Sequence, residues 1–143
     1  MLSSEPPVQF KDMEVEEVSI LVIDDVNSMR IQIKELLRSF GFRKISAVGN
    51  GEEAKILIEI DSFHLILADW RMEPTNGLEL LKYVRNHPSC KKVAFLMVTA
   101  EGTKEKVVEA IQAGVDDYLV KPLTLAQIQN KVFRLLIKKK VFT

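Results

Sequence analysis

The stretch Ile66-Leu67-Ala68-Asp69-Trp70-Arg71-Met72 decides the fold, because an apolar run ends there in a single carboxylate, Asp69. A Pro-Thr-Asn-Gly loop follows at 74–77, and a periodic apolar pattern typical of a helix begins at Leu78. This succession is typical of a buried strand that reaches the rim of a sheet. Open α/β sheets bind ligands at the carboxyl ends of their strands. We therefore expect Asp69 to lie at a ligand-binding edge.

Composition predicts one ordinary globular domain. The chain has 143 residues, 47% of them hydrophobic, and its 20 basic and 20 acidic side chains cancel, which gives no electrostatic reason to expect nucleic acid or an anionic membrane as partner. A single cysteine, Cys90, indicates a reducing, cytoplasmic setting. No apolar stretch approaches the ~20 residues that span a bilayer. We expect residues 1–17, which are polar and contain two prolines, to be a mobile extension without a signal peptide, and residues 18–143 to form the domain.

Strands and helices alternate along the remainder of the chain. We predict helices over 27–40, 52–60, 78–87, 103–113 and 124–138, the first capped by Asn27 or Ser28 and the last with Leu125 among its inward residues. Apolar runs predict five strands, at 18–23, 44–48, 64–69, 93–98 and 117–120. Strict β-α alternation implies a parallel, doubly wound sheet with helices on both faces.

Polar residues follow four of the predicted strands: Asp24 and Asp25, Asp69, Thr99, and Lys121. In a parallel sheet these residues share one edge. Two carboxylates ~4 Å apart repel by about 4 kcal/mol at an effective dielectric constant of about 20, so a compensating charge is required. Lysine supplies part of it, and a hard cation with oxygen ligands, Mg²⁺, suits the rest.

A cation, a hydroxyl and an ammonium group around a carboxylate favour phosphoryl transfer. Asp69 would act as the nucleophile and carry the phosphoryl group as an aspartyl phosphate. Lys121 and Thr99 would contact its oxygens.

The same positions resemble a known family. The receiver domain of two-component response regulators, and most closely its single-domain chemotaxis members, is similar over roughly Val18 to Lys138. The motifs that carry the resemblance are Asp24-Asp25, Asp69-Trp70, Met97-Val98-Thr99-Ala100-Glu101, Ala113-Gly114, Tyr118 and Lys121-Pro122. The resemblance implies a flavodoxin-like (βα)5 fold with strand order 2-1-3-4-5.

The resemblance also implies a role for each site residue. It makes Asp69 the phospho-acceptor, Asp25 a direct Mg²⁺ ligand and Asp24 a ligand acting largely through water, with Mn²⁺ as an alternative ion. The backbone carbonyl of Arg71 would complete the metal site. The remaining implied residues are the phosphoryl-contacting and switch group, Thr99, Ala100, Tyr118 and Lys121, and a cis bond before Pro122.

The implied partners are proteins. A sensor histidine kinase would phosphorylate Asp69, a downstream target such as a flagellar motor switch protein would bind the face of the fourth helix, fifth strand and fifth helix, and a phosphatase is a further partner. The protein would catalyse only its own phosphorylation and dephosphorylation. A phosphate sink or phosphorelay intermediate in another pathway is the alternative. Neither nucleic-acid binding nor membrane insertion is expected.

Two features depart from the family pattern. Arg71 stands two residues after the acceptor, where the chemotaxis regulator carries a short polar residue, and Glu101 stands two after Thr99. We expect a salt bridge between them to roof the pocket and change how long the phosphoryl group lasts; a simply solvated Arg71 is the alternative. The loop also reads Met72-Glu73-Pro74, with proline displaced by one position.

Other interpretations stay open. Tyr118 also fits as an ordinary strand aromatic, and Trp70 as a rim residue packed on the extension. We interpret His64 and His87 as structural, and Lys138-Lys139-Lys140 as a solvated helix end or a partner site. Competing functions are an aspartate-nucleophile phosphohydrolase, which places Asp-x-Asp after the first strand, a flavin carrier, which needs a phosphate loop there, and a receiver that binds partners without phosphorylation.

Overall fold

The computed structural model describes residues 13–142, in which five parallel strands alternate with five helices. The strands are β1 (Ser19–Ile23), β2 (Lys44–Val48), β3 (Leu65–Ala68), β4 (Ala94–Thr99) and β5 (Asp117–Val120). The helices are α1 (Asn27–Ser39), α2 (Gly51–Ile60), α3 (Gly77–Arg85), α4 (Lys104–Gln112) and α5 (Leu125–Lys138). The strand order β2-β1-β3-β4-β5 confirms the predicted doubly wound sheet.

Alternating side chains of the strands divide the core in two. Ile20 and Val22 of β1 belong to the first core cluster, beneath α1 and α5, whereas Leu21 and Ile23 belong to the second, beneath α2, α3 and α4. Every residue of β3 and β4 is buried. Strands covered on both faces need apolar side chains at every position, which is why their sequences show no alternation.

The register of the sheet sets the height of the acidic residues. Ile23 of β1 pairs with Ala68 of β3, which pairs in turn with Met97 of β4. The amide of Asp69 then donates to the carbonyl of Ile23 at 3.0 Å. The carboxylates that follow β1 and β3 therefore emerge side by side.

Two details of the helices differ from prediction. The N-cap residue of α1 is Val26, without a side-chain cap, so neither Asn27 nor Ser28 caps this helix. Leu125, predicted to point inward, is 53% exposed. It opens α5 beside the edge strand β5, whose last residue, Val120, is itself 43% exposed. Little protein surface covers this first turn, and the buried stripe of α5 begins at Ile128.

A 3-10 turn, Val15–Glu17, precedes β1. Met13 and Val15 pack against the first core cluster, and the amide of Met13 donates to the carbonyl of Val141 at 3.4 Å. Residues 1–12 of the predicted extension lie outside the described residues. Between residues 13 and 142, no helix is both long and apolar enough to cross a membrane.

Candidate active site at the carboxyl edge of the sheet

Three carboxylates converge where β1 and β3 end. One oxygen from each of Asp24, Asp25 and Asp69 lies within 4.8 Å of the others. Asp24 and Asp69 are only 1% and 7% exposed, whereas Asp25 is exposed to solvent. The cluster is therefore a pocket with two buried acids and one at its mouth.

Local backbone contacts orient the two buried acids. Asp24 Oδ1 accepts from the amide of Val26 at 2.9 Å, and Asp69 Oδ1 accepts from the amide of Arg71 at 3.3 Å. Each acid thus turns one oxygen back onto its own loop. The second oxygen of each, Oδ2, is left to face the pocket.

Gly77 lets α3 begin directly against the loop that follows Asp69. Its amide donates to the carbonyl of Trp70 at 2.8 Å, and a Cβ placed on Gly77 would lie 2.2 Å from the carbonyl oxygen of Asp69. Only a residue without a side chain fits this approach. In the sequence this glycine looked like a loop residue only, and its role in placing the site was missed.

Lys121 neutralises part of the charge. Its Nζ lies 2.8 Å from Asp24 Oδ2 and 3.0 Å from Asp69 Oδ2. The Lys121–Pro122 bond is cis, and so is the Glu73–Pro74 bond in the loop after Asp69. The ammonium group bridges the two carboxylates that the register brings together.

For both Asp24 and Lys121, burial and hydrogen bonding shift the pKa in opposite directions. Burial raises the pKa of the Asp24 carboxyl above its ordinary value, although hydrogen bonds from Lys121 and from the Val26 amide work against that rise. Burial by itself would lower the pKa of Lys121, but its hydrogen bonds to Asp24 and Asp69 outweigh burial and raise the pKa. Lys121 is therefore positively charged at neutral pH.

Thr99, Glu101 and Tyr118 form a connected group beside the acids. The fully buried Thr99 accepts from the amide of Glu101 through Oγ1 at 3.2 Å, and the hydroxyl of Tyr118 donates to the carbonyl of Glu101. Burial, then the nearby charges of Glu101 and Asp69, raise the pKa of Tyr118 to about 12. The contact to a backbone carbonyl could not be found from residue types.

Arg71 and Glu101 meet over this edge. The guanidinium of Arg71 donates to Glu101 Oε2 through Nε at 3.0 Å and through a terminal nitrogen at 2.7 Å. The side chain of Arg71 is 82% exposed and that of Glu101 is 21% exposed. Both nitrogens contact the same carboxylate oxygen of Glu101.

The other residues singled out in the sequence lie in different surroundings. Ala100 is exposed at the end of β4, and Trp70 is buried in the second core cluster with the ammonium of Lys106 over its ring. Trp70 therefore does not pack on residues 13–17, which contact the first cluster. His64 Nδ1 accepts from the amide of Ser19 at 3.0 Å, and His87 Nε2 lies 2.8 Å from Glu59, both away from the acids.

The donor set fits a hard divalent cation. Three carboxylates carry three negative charges against the single ammonium of Lys121, and all their donor atoms are oxygens. Mg²⁺ prefers oxygen ligands and retains water, which an acid at the pocket mouth permits.

Comparisons with known proteins agree with this architecture. The sequence profile of the response regulator receiver domain matches residues 20–133. The chain is 37% identical over 115 residues to the chemotaxis protein CheY-3 of Vibrio cholerae, covering 80% of this chain and 88% of that protein. It is equally similar to the chemotaxis protein CheY of Pseudomonas aeruginosa, at 37% over 115 residues, with 80% and 93% covered.

A solved structure shares the fold. The receiver domain of the sensor histidine kinase PA1611 from Pseudomonas aeruginosa, which has a magnesium ion coordinated in its active-site cleft, is 27% identical with a TM-score of 0.76. The similarity covers 83% of this chain and 97% of that one. The profile match, the two relatives and the shared strand order lead to one conclusion: the chain belongs to the response regulator receiver domain family and takes part in two-component signalling.

Proposed function

We propose that this protein is a CheY-like phospho-switch in which Asp69 takes a phosphoryl group from the phosphohistidine of a sensor kinase. The observation that carries the proposal is the position of Lys121, whose ammonium contacts both buried acids of the pocket, Asp24 and Asp69. An acceptor carboxylate, a fixed cation and neighbouring oxygen donors are the parts that phosphoryl transfer requires.

The transfer is a displacement at phosphorus. An oxygen of Asp69 attacks, the phosphorus–nitrogen bond of the phosphohistidine breaks, and the departing imidazole keeps its electron pair and takes a proton. Lys121 contacts a phosphoryl oxygen, and Thr99 donates its hydroxyl to another. Asp24, Asp25, Asp69 and the carbonyl of Arg71 would hold Mg²⁺, which when bound neutralises charge on the phosphoryl oxygens. Hydrolysis of the aspartyl phosphate by water returns the resting state.

The signal passes through Thr99 and Tyr118 to a surface that we call the output face, formed by α4, β5 and the start of α5. Large apolar side chains are exposed there: Val108 at 41%, Ile111 at 60%, Val120 at 43% and Leu125 at 53%. Apolar side chains grouped on one face favour a protein partner. The kinship with chemotaxis proteins favours a flagellar motor switch protein as that partner.

Fluorescence of the single tryptophan tests the proposal. We would titrate the wild type and Asp69→Asn with Mg²⁺ and then add acetyl phosphate or beryllofluoride, with Asp61→Asn as a control that removes an exposed acid elsewhere. A second spectral change that requires Asp69 is the expected result. A Mg²⁺ response without any donor response in the wild type would contradict the phospho-switch, and no Mg²⁺ response would contradict the metal site.

A further inference from the structure

Glu101 is held on three sides at the junction between the acceptor and Tyr118. Its side chain accepts from the guanidinium of Arg71, its amide donates to the hydroxyl of Thr99, and its carbonyl accepts from the hydroxyl of Tyr118. Arg71 and Glu101 are 30 residues apart in sequence, and Tyr118 lies 17 beyond Glu101. One residue therefore joins the loop of the acceptor to the strand that carries the switch tyrosine.

The side-chain contact of Glu101 affects where its backbone carbonyl lies. Glu101 occupies the segment between the end of β4 and Thr103, the N-cap of α4, and this segment lies outside the helices and strands of residues 13–142. Glu101 is restrained there by the hydrogen bond from its amide to the hydroxyl of Thr99 and by its ion pair with Arg71. A carbonyl restrained in this way is a fixed acceptor for the hydroxyl of Tyr118.

Tyr118 has a reason to occupy this position. Its half-buried ring packs against the second core cluster, and its hydroxyl, partly shielded from water, is stabilised by a protein partner. The carbonyl of Glu101 is the partner that the structure provides. Moving this carbonyl removes that partner and favours rotation of Tyr118 toward solvent.

We propose that Arg71 is a positioning residue for Tyr118: by holding Glu101, it keeps the tyrosine turned inward before any phosphoryl group is present. The inference rests on the proposed function, in which Tyr118 is part of the switch. It assigns the ion pair a conformational role in the unmodified protein, in addition to any effect on the reactions of the phosphoryl group.

Fluorine NMR tests the inference directly. The chain has two tyrosines, so protein labelled with 3-fluorotyrosine gives two resonances, which Tyr83→Phe assigns. Spectra would be recorded without Mg²⁺ or a phosphoryl donor. We expect the Tyr118 resonance to move by more than its linewidth in both Arg71→Ala and Glu101→Gln, while the Tyr83 resonance stays in place. Arg71→Lys, which keeps the charge, should restore it in part.

Matched controls separate the ion pair from general surface effects. Arg134→Ala removes an exposed arginine of α5, and Glu105→Gln neutralises an exposed acid in the first turn of α4. Neither should move the Tyr118 resonance. An unchanged Tyr118 resonance in both Arg71→Ala and Glu101→Gln would overturn the inference. Because no phosphoryl donor is present in this experiment, that outcome would not bear on whether Asp69 is phosphorylated. A failure of the proposed phosphorylation would instead appear in the fluorescence experiment.

Discussion

The ammonium group of Lys106 lies over the ring of Trp70, 4.7 Å from the ring centre. Trp70 directly follows Asp69, the proposed acceptor, and Lys106 stands in α4, one of the elements of the proposed output face. The contact is thus a second link, besides Tyr118, between the loop that follows Asp69 and the proposed output face. It crosses from one loop to a helix and is independent of the carboxylate pocket.

Removing this cation should weaken the protein slightly. A cation over an indole ring stabilises by about 0.5–1 kcal/mol where the cation is partly exposed, so we expect Lys106→Met to lower the free energy of unfolding by about that amount. Urea unfolding followed by Trp70 fluorescence measures it. Lys104→Met, at an exposed position on the same helix, is the control. Equal losses in both variants would show that the ring contact contributes nothing.

A side chain at Gly77 should disrupt the loop that follows Asp69. The added Cβ of Gly77→Ala would lie 2.2 Å from the carbonyl oxygen of Asp69, and that backbone atom must move to make room. Overpacking of this kind costs about 1–3 kcal/mol, and we expect the Mg²⁺ response to weaken as well. Thermal unfolding and Mg²⁺ titration measure the two effects.

Gly102→Ala is the matched control for that substitution. The nearest atoms to its Cβ belong to the side chain of Val120, at 3.1 Å, which has room to turn because Val120 is 43% exposed. If Gly102→Ala destabilised as much as Gly77→Ala, the close approach to Asp69 would not be the cause.

His64 should make stability depend on pH. Burial, and secondarily the charge of Lys44, lower the pKa of His64 below its ordinary value of 6.5. The unfolded chain then binds the proton more readily than the folded one, so stability is complete above the unfolded value. It is lost as pH falls through about 6.5 toward the folded pKa. Protonation also turns Nδ1 into a donor, which breaks the bond from the Ser19 amide.

The measurement is urea unfolding at pH 7.5 and pH 5.5. We expect the wild type to lose more stability than His64→Asn, by about the 0.5–1.5 kcal/mol that one hydrogen bond contributes. The control His87→Asn leaves the contact between His64 and Ser19 in place. Its loss of stability through protonation of His64 should therefore equal that of the wild type. Parallel losses in the wild type and His64→Asn would refute the assignment.

The ion pair over the pocket should lengthen the life of the phosphoryl group. If water reaches the phosphoryl group only when Arg71 and Glu101 separate, the barrier to its hydrolysis includes the ~0.2–1 kcal/mol by which an exposed ion pair is stabilised. Tenfold in rate corresponds to ~1.4 kcal/mol, so Arg71→Asn should lose its phosphoryl group about 1.4 to 5 times faster than the wild type. Loss of the group after removal of the donor would be followed for wild type, Arg71→Asn and Arg134→Asn. Equal rates for the wild type and Arg71→Asn would show that the ion pair does not protect the phosphoryl group.

The sequence by itself determined the alternation of strands and helices and the residues that end each strand. Both are local: a fully apolar run identifies a strand covered on two faces, and a change to Asp, Thr or Lys marks where it emerges. The parallel topology then placed Asp24, Asp69, Thr99 and Lys121 at one edge without any coordinates. The strand bounds also agreed with prediction to within a residue or so at each end.

Only the tertiary structure decided which side chains meet at that edge. Lys121 contacts Asp24 across 97 positions of the chain, and Tyr118 binds a carbonyl that no residue pattern reveals. The burial of Trp70, the exposure of Leu125 and the close approach of Gly77 to Asp69 likewise depend on how α3, α4 and α5 lie against the sheet. Periodicity reports the face of one element, whereas contacts depend on the register and packing between elements, which no single segment encodes.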